Sequence, residues 1–119
     1  MQKLAACALI MNDDGKVLAV HRRTDPNDMG LVGGKIDEGE LPLDAMIREC
    51  MEETGYQCDF EFIDIRFDGS YEVYCYRGTN PIKVSDDDEK MWAWIDLNDI
   101  CKGSFAEFNT KLLFDWGVV

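Results

Sequence analysis

The segment from Pro42 to Gly55 carries the signals of a helix at both ends, and its apolar and polar residues would lie on opposite faces of that helix. Pro42 suits the first turn of a helix, and Gly55 stands where helices commonly end in a left-handed residue. Small and apolar side chains recur between them at helical spacing, at Ala45, Met46, Cys50 and Thr54. The pattern predicts a helix from about Pro42 to Thr54 that buries one face in a core.

Runs of apolar and β-branched residues bounded by turn residues predict five strands around this helix. They are Lys3 to Met11, Lys16 to His21, Phe60 to Phe67, Ser70 to Arg77 and Met91 to Ile95. A tight turn from Asn12 to Gly15 joins the first two, and Asp68-Gly69 is a strong hairpin signal between the next two. The stretch from Thr24 to Asp37 is rich in glycine with few core candidates, and it predicts a loop.

The chain ends in a second helical pattern. Ser104 to Glu107 fits a capping box. The apolar stripe of the helix consists of Phe105, Phe108, Leu112, Leu113 and Trp116. The order of strands, helix, strands and helix predicts an α/β fold with two helices on opposite sides of a mixed sheet. The 119 residues have room for a single domain, residues 1–119.

Charge and cysteine content exclude several function classes. Twelve basic against 24 acidic residues give a formal net charge of −12, which would repel a nucleic acid duplex or an anionic membrane. A phosphate-bearing ligand must therefore come with cations. The five cysteines lie far apart without a C-x-x-C pair, which argues against a disulfide framework and a zinc site. No run approaches the roughly 18 apolar residues of a membrane span, so we expect a cytoplasmic protein.

Three glutamates give the polar side of the first helix an unusual charge. Glu49, Glu52 and Glu53 are three and four residues apart, so their carboxylates project from one side. Like charges at this spacing repel by a few tenths of a kcal/mol per pair, and no basic residue one turn beyond balances them. Either this acidic face is solvated, or a hard divalent cation such as magnesium binds it through oxygen ligands.

The segment GGKIDEGELPLDAMIRECMEETGY, residues 33–56, resembles the signature of the Nudix hydrolase family. That signature is G-x5-E-x7-R-E-U-x-E-E-x-G-U, in which U is a bulky apolar residue. Its fixed positions are filled by Gly34, Glu40, Arg48, Glu49, Glu52, Glu53 and Gly55. Cys50 and Tyr56 occupy the apolar positions. The resemblance implies the family's α/β/α sandwich, with a mixed sheet between helices.

The resemblance also implies roles for the charged residues of the helix. Glu52 and Glu53 would be the principal metal ligands. Glu49 would be either a further ligand or the base that deprotonates water. Arg48 would orient a carboxylate of the set, and its alternative is an ordinary surface ion pair.

Residues outside the helix complete the implied metal site. Glu40 would bridge the loop back to the helix, sometimes through a metal-bound water, and Gly33 would offer its backbone carbonyl to the metal. Family members often add an acidic residue from a loop just before the strand represented here by Met91 to Ile95. Glu89 and Asp88 are the candidates, and the alternative for this loop is a solvated acidic turn.

Substrate residues lie outside the signature. Arg22 and Arg23 follow the second strand, where the triphosphate-cleaving branch of the family, including enzymes that remove oxidised purine nucleotides, carries phosphate-binding residues. Arg23 is the better match, and a surface arginine pair is the alternative. Asn109 lies where that branch places base-recognising residues. Its amide can both donate and accept hydrogen bonds on a purine edge, and the alternative is a plain residue on the helix surface.

The resemblance therefore implies a magnesium-dependent nucleotide pyrophosphohydrolase, with manganese as a substitute metal. The predicted reaction hydrolyses a (deoxy)nucleoside triphosphate to a monophosphate and pyrophosphate. One alternative is cleavage of another nucleoside diphosphate derivative, such as a nucleotide sugar or a capped RNA end. A second is a non-catalytic nucleotide-sensing domain. The expected partner is a small-molecule nucleotide, and we expect a monomer or a homodimer.

Overall fold

The computed structural model describes residues 3–119, which form six strands and three helices. The strands are β1 (Lys3–Ile10), β2 (Val17–Arg22), β3 (Asp25–Lys35), β4 (Tyr56–Asp68), β5 (Tyr71–Lys83) and β6 (Trp92–Ile95). The helices are α1 (Pro42–Thr54), α2 (Leu97–Ile100) and α3 (Ala106–Asp115). None of these helices is long and apolar enough to cross a membrane.

The strands pair into one mixed sheet in the order β4-β5-β1-β3-β2-β6. β1 runs parallel to β5, and the other neighbouring strands pair antiparallel. Successive side chains of β1 alternate between the two faces, so Ala8 and Ile10 belong to one core cluster and Leu9 to the other. The central strand β1 is therefore apolar on both faces, which is what a sheet covered on both sides requires.

Each face of the sheet is covered by helices. α1 buries Met46 and Cys50 against one face, together with Ile10 of β1. α3 buries Leu112 and Leu113 against the other face, where α2 adds Ile100. The prediction of helices on opposite sides of a mixed sheet, an α/β/α sandwich, is confirmed.

The prediction of a loop from Thr24 to Asp37 is wrong, because Asp25–Lys35 forms β3 between β1 and β2. Its glycines mark places where other groups approach the strand closely. A Cβ on Gly33 would lie 2.1 Å from the carbonyl oxygen of Ala6, and one on Gly34 would lie 2.6 Å from the carboxyl carbon of Glu49. Glycines in a sequence predict turns, whereas here Gly33 lets β3 lie close to β1 and Gly34 lets it run beneath α1.

All five predicted strands are present, but the first two do not form a hairpin. β3 inserts between them, and only a bridge between Met11 and Val17 remains next to the tight turn at Gly15. The β4–β5 hairpin is confirmed, and its pairing extends from the turn as far as Tyr56 and Lys83. This hairpin forms one edge of the sheet.

The two long helices differ in how well their ends were predicted. α1 has the predicted bounds, and Gly55 ends it at φ +73° while donating its N–H to the Met51 carbonyl at 2.9 Å. The capping box at the start of α3 is wrong. The helix begins at Ala106 without a side-chain cap, and the Ser104 hydroxyl donates instead to the Asp28 carboxylate at 2.7 Å.

Candidate active site

Glu53, near the end of α1, lies against β3. It accepts a hydrogen bond from the backbone N–H of Gly33 at 3.0 Å. Burial raises the pKa of Glu53 to about 9, and the charges of Glu49 and Glu89 act in the same direction, against the Gly33 hydrogen bond. The side chain therefore lies where negative charge is poorly compensated, which is the condition that a cation would relieve.

Arg48 neutralises part of the acidic face of α1. Its guanidinium donates to both carboxylate oxygens of Glu40, at 2.8 and 3.0 Å, in a bidentate pair. It also donates to Glu49 at 2.9 Å and to Glu52 at 3.3 Å. No basic residue lies one turn beyond the glutamates, and the arginine that offsets part of their charge lies within the set. The bidentate pair with Glu40 also fixes the loop before α1 to the helix, as the family resemblance implied.

Glu49 depends on a glycine beneath it. Its carboxylate lies so close to Gly34 that any side chain there would displace it. Burial raises the pKa of the Glu49 carboxyl, against the opposing effect of the Arg48 ion pair. Glu49 is thus a half-buried carboxyl held in place from two sides.

The two candidate ligands in the acidic loop before β6, Asp88 and Glu89, have different surroundings. The side chain of Asp88 is inaccessible to solvent and accepts hydrogen bonds from Lys83 at 2.7 Å and from the Trp92 indole at 3.1 Å. The Lys83 hydrogen bond is the main cause that lowers the pKa of Asp88 to about 2. Glu89, by contrast, is exposed and donates its backbone N–H to the Glu52 carbonyl at 3.1 Å. Asp88 therefore anchors the loop, and Glu89 lies beside the glutamates of α1.

The carboxylates do not form a ready-made cation site in residues 3–119, where no three acidic, cysteine or histidine side chains converge closely enough. The reason is visible in the hydrogen bonds, since Arg48 holds Glu49 and Glu52 while Glu53 turns to Gly33. The donors are nevertheless all oxygens, and two of the carboxyls have raised pKa values. This donor chemistry fits a hard cation such as magnesium.

A cavity of about 240 Å³ adjoins the carboxylates across β3. Gly33 and Gly34 line it, and the same two residues contact Glu53 and Glu49. The rest of the lining comes from other residues of β3, from β1, from the β4–β5 hairpin and from the start of α3. It includes Ala5, Cys7, Leu31, Lys35, Asp68, Tyr71, Phe105, Phe108 and Asn109. A mostly apolar cavity with a few polar groups is typical of a small-molecule site.

Asn109 is buried in the wall of this cavity. Only 2% of the residue is exposed, and its amide nitrogen donates to the Ile100 carbonyl at 3.0 Å. The alternative of a plain residue on the helix surface is therefore wrong. The predicted contact with a base stays a prediction, and the position of Asn109 in the cavity is compatible with it.

A model of the NUDIX domain matches residues 1–116. The chain belongs to the Nudix family.

Relatives of this Nudix chain include named hydrolases. It is 30% identical over 107 residues to a Caenorhabditis elegans protein named as a Nudix hydrolase, a match that covers 82% of this chain and 29% of the relative. It is 37% identical over 59 residues to the 8-oxo-dGTP diphosphatase of Escherichia coli, covering 46% of each protein. The matched segments thus span less than half of either relative.

Solved structures share the Nudix fold. A MutT structure from work on Aliivibrio salmonicida and Vibrio cholerae superposes with a TM-score of 0.71 at 20% identity, covering 95% of this chain and 93% of that one. At this identity the likeness concerns the fold alone. It agrees with the α/β/α arrangement described above.

Arg22 ends β2 and Arg23 follows it, and neither arginine lines the cavity. Arg22 donates to the Ser104 hydroxyl at 3.1 Å and lies 3.8 Å from the Asp28 carboxylate. Arg23 is exposed and makes no hydrogen bond or ion pair with residues 3–119. A phosphate contact stays a prediction for both. Sequence reasoning missed Lys83 and Asp28, which hold the loops around the site, because isolated charged residues carry no local signal of their distant partners.

Proposed function

We propose that this Nudix protein is a magnesium-dependent nucleotide pyrophosphohydrolase that converts a (deoxy)nucleoside triphosphate to a monophosphate and pyrophosphate. The observation that carries the proposal is that the same segment of β3 contacts the carboxylates and lines the cavity. Gly33 and Gly34 separate Glu53 and Glu49 from the cavity by the thickness of one strand. In this proposal the base of the nucleotide lies in the cavity and its phosphates lie on the glutamate side of this glycine pair.

Glu49, Glu52, Glu53 and Glu89, with the carbonyl of Gly33, are the groups that would hold magnesium. When bound, the metal acidifies water and neutralises phosphate oxygens. Arg48 keeps Glu49 in place through the ion pair at 2.9 Å, and a carboxyl with a raised pKa is suited to accept a proton from water. Glu53 must lose its proton before it can act as a ligand, so metal affinity should rise with pH.

The cavity suits the nucleoside end of the substrate. Its volume of about 240 Å³ is below the roughly 300–1,000 Å³ of pockets that enclose a whole drug-sized ligand, so a base fits where an entire nucleotide does not. Phe105 and Phe108 offer aromatic surface for stacking, and Asn109 offers hydrogen-bonding groups. A triphosphate is favoured because the relative in Escherichia coli is named for a triphosphate substrate.

The test is a panel of nucleotides with identification of the products. Triphosphates, a nucleotide sugar, ADP-ribose and capped RNA are incubated with magnesium, and the released groups are separated. We expect free pyrophosphate and a monophosphate from at least one triphosphate. Preferred cleavage of a diphosphate derivative would contradict the substrate class, and no turnover of any member would contradict the enzymatic function.

Two variants test whether the turnover depends on the glutamates of α1. Glu53→Gln is nearly isosteric and should remove most turnover while the fold is retained. Glu38→Gln removes the same charge from an exposed position in the loop before α1 and should leave turnover unchanged. Equal activity of both variants would show that Glu53 is not a principal ligand.

A further inference from the structure

Side chains from distant parts of the chain meet just before α3. Asp28 of β3 accepts the backbone N–H of Ser104 at 3.0 Å and the Ser104 hydroxyl at 2.7 Å. Arg22 of β2 donates to the same hydroxyl at 3.1 Å. The Ser104 hydroxyl thus both donates and accepts, and the backbone before α3 is tied to the sheet by a charge-assisted pair.

The backbone on either side of Ser104 is shaped to fit this contact. Gly103 adopts φ +83°, and a Cβ there would lie 2.4 Å from an Asp28 oxygen. On the other side, Phe105 packs its ring onto β3, where a Cβ on Gly30 would lie 3.2 Å from it. The Asp28 contact and the Phe105 contact therefore hold three consecutive residues, 103–105, against the sheet.

These residues lead directly into one wall of the cavity. Phe105, Phe108 and Asn109 line it, and they lie before and within the first turn of α3. That turn has no side-chain cap of its own. Asp28 binds Ser104, two residues before this turn, and the helix dipole favours a carboxylate on that side of α3.

We propose that Asp28 and Ser104 form a latch that positions the nucleoside-binding wall of the cavity. Both are positioning residues, since neither lines the cavity, and Arg22 supports the latch through the Ser104 hydroxyl. The inference rests on the proposed function, in which the cavity receives the nucleoside. It assigns Arg22 a role different from phosphate binding.

Two latch variants and two controls test the inference. Asp28→Asn removes the charge, and Ser104→Ala removes the hydroxyl. Ser104→Thr keeps a hydroxyl and should restore wild-type behaviour. Asp25→Asn removes the same charge from an exposed position on the same strand and should change nothing.

The first readout is amide hydrogen exchange of residues 105–109, which needs no substrate. We expect faster exchange there in Asp28→Asn and Ser104→Ala, with the exchange of α1 unchanged. The second readout is steady-state kinetics on the preferred nucleoside triphosphate and on the abasic deoxyribose triphosphate. The latch variants should raise KM for the nucleotide about tenfold with kcat within about twofold, because a hydrogen bond to a charged group is lost. KM for the abasic compound should not change.

Each result decides a separate point. Unchanged exchange in both latch variants would overturn the latch itself. Faster exchange with an unchanged nucleotide KM would overturn its role in nucleoside binding, and so would an equal rise of KM for the abasic compound. A wild-type protein that turns over no nucleotide would instead refute the proposed function, and the positioning role with it.

Discussion

The partly buried carboxyl of Glu53 should make the stability of the metal-free protein fall as pH rises. Its pKa is about 9 in the folded protein, against 4.5 for an unperturbed glutamate. Between these values the folded chain holds a proton that the unfolded chain has released. The unfolded state binds fewer protons in this window, so the free energy of unfolding decreases with pH. The contribution is fully present below about pH 4.5 and is lost as pH rises toward 9.

The size of the effect follows from one proton. A difference of a single bound proton changes the free energy of unfolding by about 1.4 kcal/mol per pH unit. Between pH 6 and 8 the wild-type protein should therefore lose about 1 to 3 kcal/mol, with the lower value for a carboxyl that water can still reach. Glu53→Gln cannot ionise, and its amide oxygen can still accept the Gly33 N–H. The variant should lack this slope and be more stable than the wild type at pH 8.

Urea unfolding at pH 6, 7 and 8 with a chelator present measures this slope directly. Glu52→Gln is the matched control, because it removes a neighbouring charge from the exposed side of α1 and leaves Glu53 buried. Parallel pH profiles for the wild type and Glu53→Gln would refute the reasoning. So would loss of the slope in Glu52→Gln alone.

Three further predictions concern the metal, the acidic loop and the base. Millimolar magnesium should raise the melting temperature, since binding to the folded state relieves the repulsion of the glutamates, and an unchanged value would count against the metal site. Asp88→Asn should weaken Mn²⁺ binding about tenfold in calorimetry, because the loop that carries Glu89 loses its anchor. Asp87→Asn in the same loop should leave the affinity unchanged, and equal affinities of the two variants would contradict the anchoring role. Asn109→Ala should raise KM for the preferred nucleotide by the equivalent of roughly 1 to 3 kcal/mol and also lower stability, because the Ile100 carbonyl loses its donor. Lower stability with unchanged base selectivity would contradict the base contact.

Local signals predicted those parts of the protein that depend on local contacts. The helical period and the terminal glycine gave α1 with its bounds, and Asp68-Gly69 gave the β4–β5 hairpin. β3 was missed because glycines that permit close approach look the same in a sequence as glycines that permit a turn. The sequence contains no sign that Gly34 lies beneath Glu49.

The candidate site shows the same division. The resemblance implies that Glu40 connects the loop to the helix and that Arg48 orients a carboxylate, and the structure pairs these two residues with each other. The sequence pattern predicts a capping box at Ser104, yet the partner of the Ser104 hydroxyl is Asp28, 76 residues away. The different surroundings of Asp88 and Glu89 likewise depend on Lys83 and on burial. Neither the contact with Lys83 nor the burial can be predicted from a run of acidic residues that all have similar chemistry.

α1 carries both the packing of one face of the protein and the acidic groups of the site. Met46 and Cys50 fix its rotation against the sheet, while Glu49 and Glu53 project from the same rigid rod. A substitution that leaves a void or adds a methyl group in this core would shift α1 as a unit, and the carboxylates would move with it. Displacements of about 1 Å at reacting groups can cost 10²-fold in rate. Packing substitutions beneath α1 are therefore expected to act as rate substitutions, even where the protein remains folded.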